Sequence, residues 1–429
     1  MKSTIKKLEG TERQLSINIP REDVDEVFDA VLNEIRKTAK VAGFRPGNAP
    51  LDIIRNKYRK DADEELKERL ITRYYARAVR EHEIDPVSYP ELTDVVLDAS
   101  GFSFKAKVDI SPEVNLKKYK GLKVTRKEVR VTEEEIDETL SRLRNMNAEF
   151  DVIERPLEKG DFAICDVETV IDGKPVSRRH ENMWVEVNKE MSLMGIGEQL
   201  CGLKKGDKKD IEATLPEKYP DKNFAGKKAV FNVEVKETRE KKLPELNDDF
   251  AVKMGKENMP EVREEIKAQL LEKKGEDARL DMQEQIVTQL LKKHDFDLPP
   301  SMVKRQFKVL TERVEEELKK KGIEKEVIES HKEKMKEQLQ SEAEDKVKLY
   351  FILESIADSE KIDVTDEDIN EWLKSLAAAY NQSFENVKKY YDQHELIGGV
   401  KAQIREQKTL DALVEQAEFP GKEDKSKKE

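Results

Sequence analysis

Residues able to make or break bonds are few and scattered along the chain. The five histidines, His82, His180, His294, His331 and His394, show no HExxH spacing, so surface positions on helices or loops explain them better than a metal site. Gly195-Ile196-Gly197 lacks the third glycine of a dinucleotide fingerprint, and no GK[ST] phosphate loop occurs. Cys165 and Cys201 have no CxxC neighbour, which argues against a disulfide framework or structural zinc and fits a reducing compartment. Recognition chemistry is better represented. Gly43-Phe44-Arg45-Pro46-Gly47-Asn48-Ala49-Pro50 places two glycines and two prolines in eight residues. Glycine admits φ > 0 and proline locks φ, so the stretch predicts a tight, preorganised turn with Phe44 and Arg45 at its tip. A guanidinium beside an aromatic ring suits RNA or a protein surface, through phosphate forking and stacking.

The neighbourhood is cationic. Arg36, Lys37, Lys40, Arg45, Arg55, Lys57, Arg59 and Lys60 cluster here, and only Asp52 opposes them between 36 and 60. Two readings stand open on these residues alone: a docking tip, or a structural helix–helix turn with Phe44 folded inward.

The elements that must hold this loop follow from periodicity. Leu15, Ile17 and Ile19 alternate as a strand; Val24, Val27, Phe28, Val31 and Ile35 then recur at helical spacing. Past the Gly/Pro stretch, Leu51, Ile54 and Tyr58, then Leu66, Leu70, Tyr74 and Ala78, resume the helical period, and Ser100-Gly101 sits between two strand-like runs. Residues 1–112 thus read as an α+β domain and 113–149 as a polar linker. The linker carries one helix, opened by the Thr132/Glu135 capping-box pattern. Residues 150–243 switch to short alternating runs with turn signals, a small antiparallel sheet domain with one short helix near Ile196. Residues 244–419 are helical. Val303, Phe307, Leu310, Val314 and Leu318 form one stripe; Met335, Leu339, Ala343, Val347 and Tyr350 form another. Pro299-Pro300 and Gly322 break the series, so helical hairpins fit better than a continuous coiled coil. The polar tail 420–429 has nothing to bury.

Composition narrows the function classes. Charged residues make up 40% of the 429 and apolar ones 37%, which favours solvated helices with narrow apolar stripes over one large compact enzyme. The net charge of −12 makes any RNA contact local. No apolar leader and no 18-residue apolar run is present, so secretion and membrane partners are not expected and a cytoplasmic location is.

GFRPGNAP resembles the GFR-x-G-x-x-P loop of the trigger-factor family, bacterial ribosome-associated chaperones. Leu243-Pro244-Glu245-Leu246-Asn247-Asp248-Asp249-Phe250-Ala251 is similar to the family's LPEL-D-D-x-F-A junction, and KIDVTDEDINEWLKSLAAAY resembles its C-terminal arm. The resemblance implies a multidomain α+β chain: an N-terminal ribosome-binding domain, an FKBP-like antiparallel β domain and an all-α C-terminal domain with helical arms. It implies that Gly43, Phe44, Arg45, Pro46 and Gly47 contact the large subunit near the exit tunnel, both ribosomal protein and rRNA. Unfolded nascent polypeptides would be the other partners, with homodimerisation off the ribosome and no cofactor. Pro46 stands where many members carry a lysine.

The resemblance also implies a peptidyl-prolyl isomerase pocket from Val167, Met183, Leu193, Ile196, Tyr219 and Phe231. Val167 and Ile196 replace family phenylalanines, making that cup shallower, and these side chains also read simply as the core of a small β domain. Alternatives to the chaperone are a stand-alone prolyl isomerase with helical extensions, or an elongated helical interaction protein.

Overall fold

The computed structural model describes residues 1–420 except 46, 172–173, 176–178, 189–195, 216–225, 322 and 324, with backbone alone at 174 and 175. Two compact units result, one joining Met1–Arg126 with the chain from Arg279, the other spanning Lys127–Ala278.

In the first unit, strands β1 (Lys2–Lys7), β2 (Glu12–Pro20), β3 (Glu91–Asp98) and β4 (Gly101–Asp109) form an antiparallel sheet in the order β1-β2-β4-β3. Helices α1 (Arg21–Thr38), α2 (Leu51–Lys57) and α3 (Arg59–Glu81) pack on one face. Alternation on β2 and β4 sends Leu15, Ile17, Ile19, Phe102, Phe104 and Ala106 into a core met by Val24, Phe28, Val31, Leu66, Leu70 and Tyr74. The expected hairpin is present, and it requires glycine: Gly101 has φ +142°, and a Cβ there would lie 2.1 Å from the Ile19 carbonyl oxygen. β1 escapes the sequence reading because KSTIKK has no alternating apolar face. It is an edge strand whose lysines discourage further strand pairing.

Residues 114–124, read from sequence as the start of a polar linker, pack into the helical core of this unit. Leu122 and Val124 are buried against Ile286, Leu290, Ile352 and Leu413. Backbone bonds Glu418 N–H to Leu122 O (2.9 Å) and Val124 N–H to Glu418 O (3.0 Å) fasten the stretch to the backbone at Glu418. Period-two apolar spacing was diluted there by lysines. Helices α8 (Pro300–Lys320) and α9 (Lys325–Glu360) pair as a hairpin along the two expected stripes, with Val303, Leu310, Leu339, Ala343 and Val347 buried between them. In the second stripe the buried ring is Phe351, while Tyr350 faces outward. Helices α10 (Asp366–Ala379), α11 (Phe384–Gln393) and α12 (Ile397–Glu415) share a smaller core around Leu373, Val387 and Val400. The Asp109 carboxylate, buried at the end of β4, accepts the Ser301 N–H at 2.9 Å in the first turn of α8, which ties the N-terminal sheet to the hairpin.

The second unit holds β5 (Glu149–Val152), β6 (Phe162–Ile171), β7 (Lys174–Pro175), β8 (His180–Glu186), β9 (Lys208–Thr214) and β10 (Lys228–Lys242). The order is β5-β10-β6-β7, with β8 also pairing β6 and β9 pairing β10, all antiparallel. Helix α5 (Ile196–Gln199) is the short helix expected there. α4 (Glu133–Met146) opens with both halves of the Thr132/Glu135 capping box. It packs Ile136 and Leu140 on Ala251 of α6 (Asp248–Lys253) and on Val262 and Ile266 of α7 (Met259–Lys293), whose first part lies in this unit. Lys274 anchors the cap further by donating to Glu135 at 2.5 and 2.7 Å.

The α8–α9 hairpin carries an acid-sensitive clasp. Lys319 (2.7 Å) and then Lys332 (3.1 Å) hold the Glu315 carboxyl down at about 2, from an ordinary 4.5. A carboxylate with a depressed folded pKa stabilises fully above its unfolded pKa, and that contribution drains away as pH falls from about 4.5 towards 2. Hydrogen exchange of α8 and α9 should therefore accelerate in that window. Glu315→Gln should show weaker protection at neutral pH and a flatter acid limb; identical pH profiles would show that the clasp contributes nothing.

Candidate functional site

The loop between α1 and α2 is built by backbone bonds and two left-handed glycines. Gly43 has φ +87° and Gly47 φ +90°, and neither would meet another atom within 4 Å of an added Cβ. Their need is therefore conformational, not steric. The Gly47 N–H donates to Arg36 O at 2.9 Å, pinning the outgoing strand of the loop to the last turn of α1. Phe44 N–H donates to Val41 O (3.1 Å) and Asn48 N–H to Arg45 O (3.0 Å), closing the turns on either side. Ala49 is buried in the domain core. From α2 and the residues beyond it, the Lys57 ammonium (2.7 Å) and the Tyr58 hydroxyl (3.1 Å) both donate to Lys40 O.

Phe44 is 41% exposed and Arg45 exposed, so the inward-folded alternative does not hold. Pro46 lies outside the described residues. Lys37, Lys40, Arg55, Lys57, Arg59 and Lys60 are exposed around the loop, while Arg36 is half-buried. Arg55 lies over the Phe28 ring, 5.0 Å from its centroid, so part of this cationic surface is held in place by a core aromatic. That contact was invisible in the sequence, because it needs the packing of α1 against α2.

In the second unit, Val167, Ile196 and Phe231 are brought together, but within the core. Each is 3% exposed or less, alongside Cys165, Val185, Ile211 and Val233. Met183 is half-buried against the same cluster. Leu193 and Tyr219 lie outside the described residues. Burial pushes the Cys165 thiol up to about 12, which leaves it protonated and unreactive. Among the described residues, no group of His, Cys, Asp and Glu could hold a metal ion. No described helix is long and apolar enough to cross a membrane.

Comparison with known proteins agrees along the chain. Residues 1–143 match the family profile "Bacterial trigger factor protein (TF)", and 258–415 match "Bacterial trigger factor protein (TF) C-terminus". Residues 154–236 match "FKBP-type peptidyl-prolyl cis-trans isomerase". The trigger factor of Geobacillus thermodenitrificans is 34% identical over 423 residues, covering 95% of this chain and 97% of its own. That of Geobacter metallireducens is 32% identical over 426 residues, covering 97% and 98%. A solved trigger factor chaperone structure aligns over 97% of this chain and 99% of its own, at 20% identity and TM-score 0.47.

Profiles and relatives together define a ribosome-associated chaperone that carries an FKBP-type isomerase domain. The chain belongs to the trigger factor family.

The packing of Phe231 gives a direct check on the middle domain. Phe231→Ala should leave a cavity costing about 3–5 kcal/mol, seen as a lowered unfolding transition of that domain in denaturant. An unshifted transition would place the ring outside the core.

Proposed function

We propose that Gly43, Phe44, Arg45, Pro46 and Gly47 form the ribosome-docking tip, seated on the large subunit beside the exit tunnel and touching both ribosomal protein and rRNA. The observation that carries this is an exposed aromatic–guanidinium pair on a pinned loop, ringed by cations in a chain of net charge −12. Phosphate contact through Arg45 and its neighbours makes binding salt-dependent, and Phe44 supplies area that salt does not screen. Tethered there in the cytoplasm, the chaperone meets unfolded nascent chain early. Off the ribosome it pairs with a second copy.

Client capture needs no nucleotide. Narrow apolar stripes on charged helices present surface without collapsing on one another, and exposed Val309, Val327, Tyr380 and Tyr390 support this reading. Many weak contacts on one chain add up by effective concentration, and release follows from the weakness of each. The division into 1–112, 113–149, 150–243, 244–419 and 420–429 describes the functional modules in this reading.

The isomerase step requires no acid, base, metal or cofactor. Amide resonance holds the X–Pro bond planar behind a barrier of roughly 18–20 kcal/mol, and an apolar cup that binds the twisted bond lowers it. Val167, Met183, Leu193, Ile196, Tyr219 and Phe231 make that cup in our reading. With Val167 and Ile196 sunk in the core, the accessible wall is thinner than one lined by phenylalanines, and turnover is correspondingly weak.

Ribosome co-sedimentation tests the docking site. Phe44→Ala with Arg45→Ala should weaken association at least ten-fold at moderate salt without changing the chain's melting. Undiminished binding of the double variant would refute the assignment.

A further inference from the structure

The middle sheet is unusual on the face away from its core. In an antiparallel sheet with one face packed, the other normally reads polar. Here Phe150 of β5, Phe162 of β6 and Trp184 of β8 meet on that outer face. Phe150 contacts Phe162 edge-on at 5.0 Å and Trp184 at 5.3 Å between centroids. The register explains how: Lys241 lies opposite Phe150, Arg239 opposite Phe162, and Ile164 opposite Trp184. The core cluster lies on the opposite face, through Ala163, Cys165, Val185 and Val235. Cross-strand ring contacts help hold a sheet together. That alone leaves much apolar area in water: Trp184 is 48% exposed and neighbouring Val152 is 60% exposed.

Two cations overhang the rings. The Arg239 guanidinium lies 5.3 Å from the Trp184 ring and the Lys241 ammonium 5.7 Å from that of Phe162. Arg239 is fixed by Glu237 (2.5 Å) and by Phe150 O (3.3 Å). Among the described residues, no carboxylate pairs with Lys241. A prepacked ring platform loses little conformational freedom on binding, and the free ammonium at its rim wants an anion.

The geometry points to a second peptide-binding surface on the isomerase domain: the outer face around Trp184 takes an extended polypeptide segment whose proline or aromatic side chain is followed by Asp or Glu. The ring platform receives the apolar side chain, and Lys241 receives the carboxylate. A peptide is favoured over single-stranded RNA, which also stacks on such rings. The same face carries Glu186 directly opposite Phe162, a carboxylate that would repel a continuous polyanion. The inference rests on the reading of the chain as a chaperone for unfolded polypeptide, and it adds a sequence preference to that binding.

Anisotropy of a dye-labelled peptide with the full-length chain tests it. The peptide Gly-Gly-Pro-Phe-Asp-Glu-Gly should bind at least five-fold tighter than its counterpart with lysines in place of Asp and Glu. Trp184→Ala should weaken the acidic peptide at least ten-fold. Lys241→Glu leaves the rings in place, so it guards against a folding defect, and should erase the preference for the acidic peptide. Equal binding of the two peptides, unchanged affinity in both variants, or displacement of the peptide by a short oligouridine at lower concentration would each overturn the proposal. Suppression of aggregation of an unfolded client by the unsubstituted chain, measured alongside, reports on the chaperone reading separately. Its loss would indict that reading, while its persistence with negative peptide results would indict only the surface.

Discussion

The proposed docking tip depends on a single backbone hydrogen bond, from the Gly47 N–H to Arg36 O, that holds the loop after α1. It folds the outgoing chain back onto the helix end while Gly43 and Gly47 occupy left-handed conformations. With both ends fixed, Phe44 stays in solvent at 41% exposure instead of collapsing onto the nearby core. An unpinned loop would bury its phenylalanine or lose conformational entropy each time it docked. The cationic surroundings depend on the same frame, since Lys57 and Tyr58 both converge on Lys40 O beside the loop.

The remainder of the molecule follows one economy: small cores, much charge. Each described core is local: one for the N-terminal sheet, one for the middle sheet, and several among the helices. Charged side chains then carry the seams. Arg405 of α12 reaches Glu354 (2.5 Å), Asp358 (2.6 Å) and the Ile362 carbonyl (2.9 Å). Such half-exposed pairs stabilise modestly, which leaves helices solvated and their apolar stripes narrow. In the proposed reading, a surface of that kind holds unfolded chain weakly and at many points.

Much of this was legible in the residues. Alternation at Leu15, Ile17 and Ile19, the Thr132/Glu135 cap and the stripes of α8 and α9 each mapped onto a formed element, because local periodicity and burial agree there. Other features depend on register or distant partners. β1 is stabilised by pairing with β2 and not by its own pattern. The meeting of Phe150, Phe162 and Trp184 requires knowing which strands are neighbours and where the irregularity between Val235 and Glu237 shifts the pairing. Helix ends at Glu83, Lys361 and Glu395 were hidden as well: all three take left-handed φ of 51–56° where glycine is the usual signal. Val167, Ile196 and Phe231, grouped in the sequence by family likeness, share one buried cluster, and only the structure revealed how deeply they lie in it.

Gly47→Ala isolates the central claim, because it leaves Phe44, Arg45 and every neighbouring cation in place. At φ +90° alanine is strained, and relief of that strain should free the loop from Arg36. Ribosome affinity of Gly47→Ala, measured by co-sedimentation at moderate salt, should fall by about ten-fold, on the scale of the roughly 1–2 kcal/mol strain of a non-glycine residue in that region. Affinity equal to that of the unsubstituted chain would contradict the account, for it would mean that the side chains alone, without a fixed loop, suffice for docking.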